Sequence, residues 1–119
     1  MTDSVLIFLG LQGCSHCDAM EERWSDIKRQ ISKVYPKMKF IHITASKPGV
    51  FKTNVPEDLK FFSQNWAPMF LLVSYSDYRS GNIKNTAKIM NATWRGSSLE
   101  YKAKYSMDDK GFLSWLRSI

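Results

Sequence analysis

The chain has 119 residues, 44% hydrophobic and 24% charged, the balance of one folded globular domain rather than a disordered or collagen-like chain. Six glycines and four prolines are too few for a low-complexity segment, and the longest apolar runs, Val5 to Leu11 and Met69 to Val73, fall short of the ~18–20 residues of a spanning helix. Seventeen Lys and Arg against eleven Asp and Glu leave a net charge of +6, but the excess is scattered from Lys28 to Lys104 without a dense run, so no nucleic-acid footprint is expected. Met-Thr-Asp-Ser at the start has an acid where a secretory leader carries Lys or Arg. Leu11-Gln12-Gly13-Cys14 has the form of a lipoprotein cleavage site but no basic segment ahead of it. The expectation is a cytoplasmic protein without membrane contact, residues 1–119 forming a single domain.

Ser4 to Gly10 is an apolar run of the kind found in a strand buried on both faces of a sheet. A short turn, Gly10 to Gly13, leads into a helix. There Cys17, Met20, Trp24, Ile27, Ile31 and Val34 recur at steps of three and four, and the polar face between them has acids early and bases late, as the helix dipole favours. Pro36 stops this helix. Lys39 to Thr44 reads as a second strand, and Ser46 to Thr53 as a loop. Pro56 then opens a short helix with Val55, Leu59, Phe62 and Trp66 on its apolar side. Met69 to Tyr75 is a third strand, Asp77 to Asn85 a polar turn, and Lys88 to Trp94 a fourth strand. Glu100 to Tyr105 reads equally as a further strand or as extended coil. Ser106-Met-Asp-Asp109 has the form of a capping box opening a last helix, whose buried stripe is Phe112, Leu113, Leu116 and Ile119. The order is βαβαββα: an α/β fold whose first two strands are parallel through a right-handed crossover and whose last are antiparallel, a mixed central sheet with helices on both faces.

The two cysteines, Cys14 and Cys17, stand one helical turn apart where a strand meets a helix, close enough for a short-loop disulfide. Cys17 continues the buried stripe and Cys14 lies ahead of it, so Cys14 is expected to be accessible and Cys17 shielded. The free N–H groups and partial positive charge of a helix start favour a thiolate at Cys14 and lower its pKa from the free value of ~8.5. Cys14 is then the attacking or attacked sulfur and Cys17 the one that resolves a mixed disulfide. His16, between them, can stabilise the same thiolate, which makes the pair more oxidising. A zinc site needs four ligands; only His16 and His42 join the two cysteines, and His42 falls in mid-strand, so no metal is expected. Asn91-Ala92-Thr93 has the form of a glycosylation acceptor, read here as chance.

Taken together, the buried strand, Cys-Ser-His-Cys at a helix start, the βαβ crossover and the proline ahead of the third strand resemble the thioredoxin superfamily over nearly the whole chain. The resemblance implies a thioredoxin-like fold in which Pro68 follows a cis peptide bond and, with Ala67 and Met69, shapes the groove that holds substrate backbone, Trp66 standing at its rim. His before the second cysteine is similar to protein disulfide isomerases and periplasmic oxidases, whereas the short N-terminal part is nearer glutaredoxin. Two positions depart from the thioredoxin pattern. Phe8 stands where thioredoxin keeps a buried acid, leaving Glu21, one turn beyond Cys17, as the nearest substitute. Gly13 replaces the usual Trp, and the glutathione-binding tyrosine and Gly-Gly pair of glutaredoxin are not evident, although Asp108-Asp109 is similar to its acidic helix start.

The expected function is protein thiol–disulfide exchange through a Cys14–Cys17 redox disulfide, with no bound cofactor, with protein dithiols or disulfides as partners held by edge-strand pairing, and with a recycling redox partner. A glutathione-dependent glutaredoxin, with glutathione as co-substrate, and a redox-inactive interaction module are the alternatives. A monomer or weak dimer is expected.

Overall fold

The structure, a computed structural model, describes residues 3–119. Strand β1 (Ser4–Leu11) is buried from Val5 to Gly10 and lies inside the sheet, parallel to β2 (Lys39–Ala45) and antiparallel to β3 (Met69–Ser74). β4 (Lys88–Ile89) pairs with the far side of β3, giving the order β2-β1-β3-β4. Alternation along β1 divides the interior in two. Leu6 and Phe8 face helices α1 (Ser15–Val34) and α4 (Asp109–Arg117), while Val5, Ile7 and Leu9 face α2 (Glu57–Phe62). A continuous apolar strand is what a sheet covered on both faces requires, and each large side chain so buried contributes roughly 1.5–3 kcal/mol.

Trp24 ties α1 to the sheet: its ring lies 5.2–6.0 Å from those of Phe8, Phe70, Phe40 and Phe112. The buried stripe of α1 ends at Ile31. Val34, the last residue of the helix, is 43% exposed. On α4 the buried positions are Phe112, Trp115 and Leu116, with Leu113 partly covered and Ile119 exposed beyond the helix end, so Trp115 takes the place expected of Ile119.

The second half of the chain departs further from its sequence pattern. The polar turn after β3 contains a helix, α3 (Tyr75–Ser80), which buries no side chain; Ser74 caps it by accepting the Asp77 N–H, and Gly81 closes it in the left-handed conformation. The expected strand Lys88–Trp94 is broken at Asn91, whose φ of +58° turns the chain out of the sheet. Its second part, β5 (Ala92–Arg95), pairs with β6 (Ser98–Tyr101) in a separate two-stranded hairpin. Asn91 is buried, and both ends of its amide are engaged: Nδ2 donates to the Tyr105 carbonyl, and Oδ1 accepts from the Lys104 and Tyr105 N–H groups. An asparagine so held secures the return of the chain and is closed to glycan attachment in the folded protein. The cap of α4 is Asp108 rather than Ser106. Its Oδ1 accepts the Gly111 N–H at 2.8 Å while the Ser106 hydroxyl donates to the same oxygen at 2.7 Å, and these two donors hold the carboxyl below its usual pKa.

Candidate redox site

β1 delivers the chain to the N-terminus of α1 through the turn Gln12–Gly13, with Gly13 at φ +79°, a conformation open to glycine at little cost. Cys14 is the N-cap of α1. Its sulfur accepts the Cys17 N–H at 3.1 Å, one of the donors that every helix start leaves unpaired. Cys14 and Cys17 are joined as a disulfide with Cα atoms 5.2 Å apart, a separation within the ordinary range for the bond. The two sulfurs differ in access: Cys14 is partly exposed, and Cys17 is 2% exposed at the head of the α1 stripe.

The Ala67–Pro68 peptide is cis, and the Ala67 carbonyl oxygen lies 3.8 Å from Cys14 Sγ. Met69, at the start of β3, is buried opposite Leu9. Cys14, Cys17, Ala67 and Pro68 therefore converge at one end of the sheet. Beside them opens a groove of about 420 Å³ whose walls include His16, Trp66, Ala67 and Pro68. His16 is exposed at this rim, and no hydrogen bond joins its ring to either sulfur among the described residues. Trp66 is half-buried, its ring 5.5 Å from that of Tyr101 and nearly perpendicular to it.

Five further residues line this groove that the sequence pattern did not single out for it: Ala19, Met20 and Arg23 on α1, Tyr101 at the end of β6, and Met107 ahead of α4. Arg23 follows Met20 by one turn of α1 and could have been placed by helical spacing. Nothing local marks Tyr101 or Met107, which arrive through the hairpin and the segment after it.

Phe8 is fully buried, and among the described residues no carboxylate is buried in the core. Glu21 turns to β2, where its Oε1 lies 3.4 Å from His42 Nε2. Among the described residues no three His, Cys, Asp or Glu side chains gather to hold a metal, and no helix is long and apolar enough to cross a membrane.

No protein-family model and no curated protein sequence matches the chain. Solved structures do. Human ERp44 in its zinc-bound form, a thioredoxin-fold protein, superposes over 98% of this chain with a TM-score of 0.55 and 12% identity. The chain has the thioredoxin fold. It spans about a quarter of ERp44, 27% of that chain, so the likeness is to one part of a longer protein. A malarial protein matches at a TM-score of 0.53 and 9% identity, over 97% of this chain and 94% of its own. The parallel β1–α1–β2 unit, the antiparallel β3–β4 pair and α4 form the thioredoxin-like core, and α3 and the β5–β6 hairpin are inserted into it between β3 and α4.

Proposed function

We propose that the protein is a thiol–disulfide oxidoreductase that exchanges its Cys14–Cys17 disulfide with the thiols of substrate proteins. The observation that carries this reading is the asymmetry of the pair: Cys14, partly exposed, caps α1 and accepts the Cys17 N–H, while Cys17 is sealed behind it. A hydrogen bond to sulfur and the helix dipole both favour thiolate over thiol, so Cys14 is the better leaving group, and access makes it the sulfur that is attacked.

In the oxidising direction a substrate thiolate attacks Cys14 Sγ. The Cys14–Cys17 bond breaks and its electron pair leaves on Cys17, which takes up a proton. A second substrate thiolate then attacks the substrate sulfur of the mixed disulfide and expels Cys14 as thiolate. The substrate loses two electrons and gains a disulfide; the protein becomes a dithiol, and a recycling redox partner must reoxidise it. Ala67 and Pro68 border Cys14 where the substrate backbone would lie.

Cys17→Ser should arrest exchange at the mixed disulfide. Incubated with proteins carrying reactive disulfides, that variant is expected to trap them through Cys14 and to release them on reduction. Trapping of glutathione alone would make the protein a glutaredoxin, and trapping of neither would leave an interaction module. His16, at the groove rim, acts on the Cys14 thiolate through space as a cation or dipole. The potential of the pair in a glutathione buffer is therefore expected to lie above the roughly −270 mV of thioredoxin and to fall in His16→Ser. A potential that does not move removes His16 from the mechanism.

A further inference from the structure

The β5–β6 hairpin is not needed to form the redox pair, yet it is fastened to the fold so that one end reaches the groove beside it. Along β5 and β6 the cross-strand pairs Trp94–Leu99 and Ala92–Tyr101 share a face. Trp94 stacks on Phe61 of the α2 segment, with rings 5.9 Å apart and 10° from parallel, and Leu99 packs into the core on that side. Arg95 and Glu100 close the hairpin with an ion pair at 3.0 Å. Tyr101 is the last residue of β6. It leans its edge against Trp66 but stays 50% exposed, facing the groove.

The groove falls in the range of cavities that hold a side chain or small ligand. Met20 and Met107 supply an adaptable apolar lining, and Trp66, Pro68 and Tyr101 a rigid one. No acidic residue lines it. Its one permanent cation, Arg23, is exposed and has no carboxylate within 4 Å among the described residues. On its other side Arg23 borders a second groove with Asp26, Asp108 and Asp109. Asp108, whose carboxylate feels the Arg23 charge, is hydrogen-bonded to Ser106 and Gly111, and none of the three is within ion-pair distance of Arg23. The groove begins where Ala67 meets Cys14, and an extended chain advances about 3.3 Å per residue. A substrate segment whose cysteine reaches Cys14 thus carries the side chains on either side of that cysteine to the groove.

We propose that the hairpin makes this groove a specificity pocket for substrate polypeptides that have an aromatic or long aliphatic residue beside the reacting cysteine and an acidic residue close by. The side chain lies among Tyr101, Trp66 and the two methionines, and the acid pairs with Arg23. This rests on the proposed redox function, and the test keeps the two apart.

Cys17→Ser protein is charged at Cys14 with thionitrobenzoate, whose release reports attack by an incoming thiol. Reduced decapeptides with Trp, Leu or Ser next to cysteine, and with Glu or Lys flanking it, are compared with mercaptoethanol, and each peptide rate is divided by the mercaptoethanol rate on the same protein. The Trp and Leu peptides are expected to exceed the Ser peptide by about tenfold. A second Tyr101→Ala change should shrink that ratio to about twofold, as loss of one wall requires. Arg23→Glu should reverse a preference for Glu over Lys of about three- to fivefold. Equal ratios for all peptides, or ratios that neither change alters, overturn the pocket while leaving the redox function standing. Failure of Cys14 to form the adduct or to react with mercaptoethanol overturns both.

Discussion

His42 holds its ring flat against Phe8, with centroids 4.1 Å and planes 13° apart, and Nε2 within 3.4 Å of both Glu21 and Thr44. Burial against the aromatic core is the largest influence on it and lowers its pKa; Glu21 opposes that shift and Lys28 adds to it. The folded chain therefore prefers the neutral ring. As pH falls below about 6.5 the unfolded chain takes up a proton first, so this residue draws stability down on acidification and contributes nothing to the pH dependence well above that point. His42→Gln removes the titration. Between about pH 7.5 and 5.5 its unfolding free energy, measured with urea, is expected to fall less than that of the unaltered protein. Equal losses would mean that the ring titrates alike in both states. The same contact explains why proton handling at the site was only partly legible. Spacing placed Glu21 one turn beyond Cys17, but helix spacing alone does not say whether a carboxylate turns toward that sulfur or toward the neighbouring strand, and here it turns to β2.

Elements that assert themselves through apolar repetition were legible, and those made by capping or by close approach were not. β1, α1 and β3 announce themselves because a buried face must repeat at the period of its element. α3 has no fully buried residue; it is capped by Ser74 and Gly81 and leans only the partly covered Tyr75 and Tyr78 on the second apolar cluster. The break between β4 and β5 hides in Lys88-Ile-Met-Asn-Ala-Thr-Trp94, which alternates well enough for one strand until the amide of Asn91 finds the backbone of residues 104 and 105. The start of α4 depends on a tertiary fact. A Cβ on Gly111 would lie 1.7 Å from the Ser106 carbonyl oxygen and 2.5 Å from its carbon, so glycine lets the incoming chain cross the helix there. Alanine at an ordinary helix position gains about 1 kcal/mol over glycine. Here the obstruction is backbone that cannot rotate away, and an overpacked site costs about 1–3 kcal/mol or more. The clash decides the sign. Gly111→Ala is expected to lower stability by about 2 kcal/mol, to lower the urea midpoint, and to loosen Trp115 in near-ultraviolet circular dichroism. An unchanged midpoint would show that the Ser106 crossing yields freely.

For the whole molecule, the redox state of one pair at the sheet end is linked to the stability of both apolar clusters. The cycle that joins oxidised and reduced forms, folded and unfolded, requires that whatever stabilises the reduced folded protein also makes the disulfide more oxidising. Two effects oppose each other. Closing a four-residue loop constrains the unfolded chain and contributes about 2 kcal/mol to the oxidised form. Against it, on the proposed function, the helix start and the Cys17 N–H that meets Cys14 Sγ stabilise a Cys14 thiolate only in the reduced, folded chain. That second contribution depends on pH with a definite sign. A thiol whose pKa is lowered by folding gives up its proton in the folded state first, so reduced-state stability rises with pH from the folded pKa up to the unfolded value of ~8.5 and then levels. The oxidised protein has no such titration. Urea midpoints measured in parallel on the two forms should therefore move in favour of the reduced protein as pH rises from about 5 toward 8.5. Cys14→Ser, which keeps a cap oxygen but has no thiolate to form, should lose that trend. Were the reduced and oxidised midpoints to run parallel across this range, the helix start would not be stabilising a thiolate, and the difference in burial between the two cysteines would be left to explain their roles alone.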